Sequence, residues 1–99
     1  MSRLRVRKIA RAEIVAVFEW YLERSPAAAE RFLAAVDDAV KRIAEAPERH
    51  PVVRGLLRRV LLERFPYAVY YKIYPSVVSV VGVIHGHRHP DTWLRRAAP

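Results

Sequence analysis

RVLLERFPYAVYYKIYPSVVSVVGVIHGHRHPDTW, Arg59 to Trp93, is the stretch that decides the fold. Apolar runs in it are broken by Pro66, which cannot donate to a strand ladder, and by Tyr74-Pro75-Ser76, a tight reversal. The first run is strand-like from Leu56 to Phe65, with Arg58, Val60, Leu62 and Arg64 on one face and Leu57, Arg59, Leu61, Glu63 and Phe65 on the other. Tyr67 to Tyr74, rich in aromatic and β-branched residues, is the next strand, with Val69, Tyr71 and Ile73 facing inward and Tyr70, Lys72 and Tyr74 facing away. Val77 to Ile84 is the last. Strict alternation puts Val78, Val80, Gly82 and Ile84 on one side of it and Val77, Ser79, Val81 and Val83 on the other. A strand apolar on both sides is covered on both.

Upstream, Arg3-Leu4-Arg5-Val6-Arg7 alternates strictly, which predicts a half-buried strand with a basic outer face. From Ala10 the period lengthens. Ile14, Val17, Phe18, Tyr21 and Leu22 make the apolar stripe of a helix that ends near Arg24. Ser25-Pro26 starts a second helix at once, with Ser25 as N-cap and Pro26 at the first helical position, where its missing N–H is no loss. Its inward residues are Ala29, Phe32, Leu33, Val36, Val40 and Ile43, and Pro47 stops it. Glu48 to Gly55 has no periodicity and reads as loop. The expected fold is α+β, β-α-α-β-β-β, with a helical hairpin packed on a mainly antiparallel four-stranded sheet, in one domain spanning 1–99.

The chain has 18 Lys and Arg against 10 Asp and Glu, a net charge of +8. The second helix is close to neutral, so the positive excess falls on the first strand and the sheet region. Such a field favours a nucleic acid or an acidic protein partner. There is no cysteine, which excludes thiol nucleophiles and thiolate metal sites and leaves the cytoplasm as the expected compartment. No apolar run has the eighteen or so residues of a membrane span, so no membrane association is expected.

Chemistry concentrates after the last strand, in His85-Gly86-His87-Arg88-His89-Pro90-Asp91-Thr92-Trp93. His85, His87 and His89 alternate, and with Asp91 they are of the right types to bind zinc or nickel. The other reading is a polar groove at a strand end, without metal or other cofactor, and that is the expectation adopted. Metal-free ribonuclease chemistry needs proton carriers and a cation over the phosphate. Histidine supplies the first, and Arg59, Arg64 and Arg88 the second. Tyr67, Tyr70, Tyr71, Tyr74 and Trp93 could stack on bases or be core and groove wall.

The segments Arg59 to Tyr71 and Val83 to Trp93, with Phe65-Pro66-Tyr67 and His85-Gly86-His87-Arg88 in them, resemble the RelE/ParE superfamily of type II toxins, plasmid stabilisation proteins included. Ser25-Pro26-Ala27-Ala28-Ala29-Glu30-Arg31-Phe32 at the helical turn is similar too, so the likeness spans almost the whole chain. The resemblance implies a bacterial toxin neutralised by a co-expressed antitoxin, in a toxin–antitoxin hetero-oligomer. The antitoxin-binding residues expected are Tyr70, Lys72 and Tyr74. RelE-like members are ribosome-dependent mRNA endonucleases, and in that case His85, His87, Arg59 and Arg88 would be catalytic. Leu61 and Ala68 stand where such enzymes carry basic residues, and Trp93 where they carry an acid/base group. ParE-like members are similar to inhibitors of DNA gyrase that act by binding. For that leading reading the target-binding residues expected are Arg64, Tyr67, Arg88, His89 and Trp93. A non-toxic antitoxin-binding module is the third possibility.

Overall fold

The computed structural model describes residues 3–86. The elements, in order, are β1 (Leu4–Val6), α1 (Lys8–Arg24), α2 (Pro26–Glu45), a 3-10 turn (Pro47–Arg49), β2 (Val52–Arg54), β3 (Leu57–Leu61), β4 (Tyr67–Ile73) and β5 (Val78–His85). The strands form one sheet in the order β1-β5-β4-β3-β2. The β1–β5 pair is parallel and the other three pairs are antiparallel.

The helical hairpin turns on a single residue. Ser25 N–H closes α1 by donating to the Tyr21 carbonyl at 2.7 Å, while Ser25 Oγ opens α2 by accepting from the Ala28 N–H at 3.2 Å. Pro26 occupies the first position of α2, as its fixed φ suits. Buried Ala29, Phe32, Val36, Ala39 and Ile43 recur at three and four residues, and this stripe of α2 meets the sheet. Phe32 is the hub of an aromatic cluster, with ring centroids 5.8 Å from Tyr21, 5.6 Å from Phe65 and 5.8 Å from Tyr67. Two residues expected to face inward are exposed instead: Leu22 is 44% and Leu33 40% exposed. Each sits at the margin of its helix's stripe, where a small shift in rotation decides burial.

Three expectations about the strands need correction. The stretch read as loop, Glu48 to Gly55, contributes the short edge strand β2, so the sheet has five strands rather than four. All three β2 residues are exposed, and a short edge strand needs no alternating pattern to pair on one side. Gly55, at φ 54, takes the left-handed conformation in the turn into β3 that glycine adopts without a Cβ clash. The run through Phe65 also breaks early: β3 ends at Leu61, and Arg64 adopts φ 66 in the connection to β4.

The third correction concerns β5. Tyr70 pairs with Gly82 but Tyr71 pairs with Val80, so Val81 is an extra residue, a bulge. A bulge reverses the alternation beyond it. Val78 and Val80 join the helix-side core, and so does Val83, whereas Ile84 passes to the far face. Strict alternation had grouped Ile84 with Val78 and Val80.

Candidate partner and target interface

Directly paired residues share a sheet face, so the register sorts the side chains. The helix side carries Val60, Leu62, Val69, Tyr71, Val78, Val80 and Val83, all buried in the central cluster. On that side Tyr71 Oη donates to the Pro47 carbonyl, and Arg58 Nη1 donates to the Glu48 carbonyl at 3.1 Å and the His50 carbonyl at 2.7 Å. These bonds pin the turn after α2 to the sheet. Burial pushes the Tyr71 phenol above its ordinary pKa, with the Arg58 charge opposing, so it stays a neutral donor.

The far face runs in rows. One row is Arg5, Ser79, Lys72 and Leu57; the next is Gly82, Tyr70 and Arg59; a third is Ile84, Ala68 and Leu61. Leu57, Ala68, Val81 and Ile84 are buried yet belong to no part of the helix-side core. Ser79 is 3% and Lys72 1% exposed, the two buried polar residues of the described chain. Arg7, just past β1, reaches over this face: its Nε donates to Ser79 Oγ at 3.0 Å and its Nη2 to Tyr74 Oη at 3.3 Å. Burial, and then the Arg7 charge, lower the Lys72 pKa.

The expected antitoxin set is therefore brought together. Tyr70 and Lys72 share the far face, and Tyr74 is tied to Lys72's neighbour Arg7. The set expected for RNA cleavage is not. Arg59 pairs with Tyr70 on the far face, while His85 pairs with Tyr67 on the helix side, their rings 5.4 Å apart. His87 and Arg88 of that set lie outside the described residues.

The target-binding residues also separate. Tyr67 and His85 line a groove of about 560 Å³ with Glu13, Ala16, Val17, Val83 and Ile84, where Glu13 Oε1 accepts from the Val83 N–H at 3.0 Å. Arg64 lies in a different groove, with Arg31 and Asp38 of α2 and Glu63 and Phe65 of its own loop. Arg88, His89 and Trp93 lie outside the described residues, as do all members of the histidine cluster except His85. No group of three or more His, Cys, Asp or Glu that could hold a metal occurs among the described residues.

Sequence reasoning missed Arg7, Ser79 and Glu13. The alternation of Arg3, Arg5 and Arg7 was the signal for the first, but it does not say which strand lies beside β1. Among the described residues no helix is long and apolar enough to cross a membrane.

A helical hairpin on one side of a five-stranded, mostly antiparallel sheet defines a small α+β protein. The chain belongs to the family of the ParE toxin of type II toxin-antitoxin systems (parDE), whose model matches residues 4–90. It is similar to Toxin ParE2 of Mycobacterium tuberculosis (strain CDC 1551 / Oshkosh), 29% identical over 90 residues that cover 90% of this chain and 86% of the relative. Toxin ParE2 of strain ATCC 25618 / H37Rv matches to the same extent. Among solved structures, a chain of the chromosomal ParDE system from P. aeruginosa shares the fold, with a TM-score of 0.66 and 20% identity over 86% of this chain and 96% of that one.

Proposed function

We propose that this ParE-type toxin acts in the cytoplasm by binding DNA gyrase, and that a cognate antitoxin neutralises it in a hetero-oligomer. One observation carries the choice of binding over cleavage. The cation on β3, Arg59, and the imidazole of His85 lie on opposite faces of the sheet, so they cannot act on one phosphate. The far face instead offers Arg7 and Arg59 with the tyrosines Tyr70 and Tyr74 and the exposed Leu61, the composition of a protein-binding surface. Its positive field speeds encounter with an acidic partner.

The test sets a supercoiling assay with purified gyrase beside mapping of translation-dependent mRNA cleavage. Gyrase inhibition without cleavage is the expected result, reversed by adding the antitoxin made from the neighbouring reading frame. Cleavage of ribosome-bound mRNA with gyrase untouched overturns the proposal.

A further inference from the structure

Between Arg3 and Ala12 the chain carries five cations, Arg3, Arg5, Arg7, Lys8 and Arg11, and no aspartate or glutamate. The fold gathers three of them at the open edge of the sheet. Arg3 and Arg5, with Arg11 from the first turn of α1, line one groove of about 540 Å³ that also takes in Leu4, Val6 and Ser76 of the β4–β5 turn. The three arginines and Ser76 are exposed, and none of the ion pairs among the described residues involves them. Arg7 stands beside the groove, oriented by the neutral hydroxyls of Ser79 and Tyr74. Helix α1 has no acidic side chain in its first turn, so the positive end of its dipole adds to the same corner.

The backbone there is also open. β1 ends the sheet, and the Arg3 carbonyl accepts from the Val78 N–H at 2.7 Å while the Arg7 N–H donates to the Val80 carbonyl at 3.0 Å. The main chain of Arg3 and Arg7 thus faces β5, and alternation turns the N–H groups of Leu4 and Val6 outward. A three-residue edge strand flanked by arginines is a poor template for another strand. What the corner offers is fixed charge and hydrogen-bond donors.

The surroundings favour a phosphate backbone over an acidic protein. None of the large apolar side chains that are exposed on the described chain lines this groove, and a protein interface needs an apolar centre. A phosphodiester chain needs only cations and donors, and the planar guanidinium matches a phosphate through two parallel bonds.

We propose that Arg3, Arg5 and Arg11 form a contact site for the phosphate backbone of duplex DNA, without base recognition. The choice of DNA over RNA rests on the gyrase reading above, since that target holds duplex DNA. Each arginine takes one phosphate, and the outward N–H groups of β1 lie beside the same strand.

Fluorescence anisotropy of a labelled, mixed-sequence duplex of about 20 base pairs, titrated with the full chain at several salt concentrations, tests this. Replacing Arg3→Gln, Arg5→Gln and Arg11→Gln together should raise Kd about 20-fold or more at low salt. It should also lower the slope of log K against log salt by about 2 to 3, close to one for each arginine. The control, Lys41→Gln with Arg49→Gln and Arg54→Gln, removes the same charge from exposed positions elsewhere. It should raise Kd less than about threefold and leave the slope nearly unchanged. Thermal melts check that both triple variants fold, and the single variants take the place of one that does not.

Equal losses in the two triple variants would show a general attraction to charge and overturn the site, as would a wild-type protein that leaves the duplex unbound. Tighter binding of an RNA duplex of the same length through these arginines would overturn the choice of DNA. A loss confined to a polyglutamate peptide, with DNA binding unchanged, would assign the corner to an acidic protein and overturn it too. The assay contains no gyrase, so the two readings fail separately. Binding of the duplex through these arginines with supercoiling untouched supports the site and overturns the gyrase reading alone.

Discussion

The two faces of the sheet are built from the same strands and are both largely withdrawn from water, yet they do different work. On the helix side Phe32, Val36 and Ile43 meet Val60, Val69, Val80 and Val83, and the polar groups there, Tyr71 and Arg58, are matched to backbone carbonyls of the chain's own turn. On the far side the floor is equally apolar, but the buried polar groups are Lys72 and Ser79, with Arg7 beside them. The first face satisfies itself and supplies stability. The second buries a lysine beside an arginine where water is scarce, which lowers the Lys72 pKa. A strand apolar on both sides thus need not have two equivalent cores.

Truncation on the helix side should break the comparison most severely. Phe32→Ala removes the hub of the aromatic cluster and should destabilise by about 3–5 kcal/mol in urea unfolding. A smaller loss would mean that the cluster repacks and that the hairpin is held elsewhere. Tyr71→Phe should cost about 1–2 kcal/mol, because the Pro47 carbonyl loses its donor in a buried site. Ser25→Ala should cost about 1 kcal/mol by removing the cap of α2. None of these changes touches the far face, so antitoxin affinity of the folded fraction should stay as it was.

Two changes outside the helix-side core should move stability the other way. Arg64 holds a left-handed backbone that glycine takes more readily, so Arg64→Gly should gain about 0.5–1 kcal/mol in the same melts. Lys72→Met should raise the melting temperature at neutral pH, since it removes a desolvated charge beside Arg7. The pH dependence carries the sign. The unfolded lysine binds its proton more tightly than the folded one, so wild-type stability rises with pH over the window between the lowered folded pKa and the ordinary value of 10.5. The advantage of Lys72→Met should therefore shrink as pH approaches 10.5. An advantage independent of pH would show that packing, rather than charge burial, sets the difference.

Much of this was legible from residue order. Ser25-Pro26 predicts the one-residue hinge because the two residues end one helix and begin another by local chemistry. Pro66 and Pro75 interrupt ladders wherever they stand, so the number of long strands followed. The short β2 was hidden because pairing at an edge depends on β3 as a template and leaves no periodic mark. The bulge at Val81 was hidden for a related reason: four apolar residues out of six suit either phase, and only the mismatch against β4 reveals the extra one.

The same division holds for the site. Tyr70, Lys72 and Tyr74 share a face by the two-residue period of a strand, which is a covalent property of the backbone and needs no partner to be read. That Arg7 joins them, across more than sixty residues of chain, depends on β1 running parallel to β5 at the sheet edge. That His85 and Arg59 part depends on the register of β4 between them. Local chemistry therefore determined the elements, their caps and the alternation of their side chains. Tertiary pairing decided which strand lies beside which, and so which charges share a surface, because hydrogen-bonded neighbours in a sheet are chosen by the whole packed core.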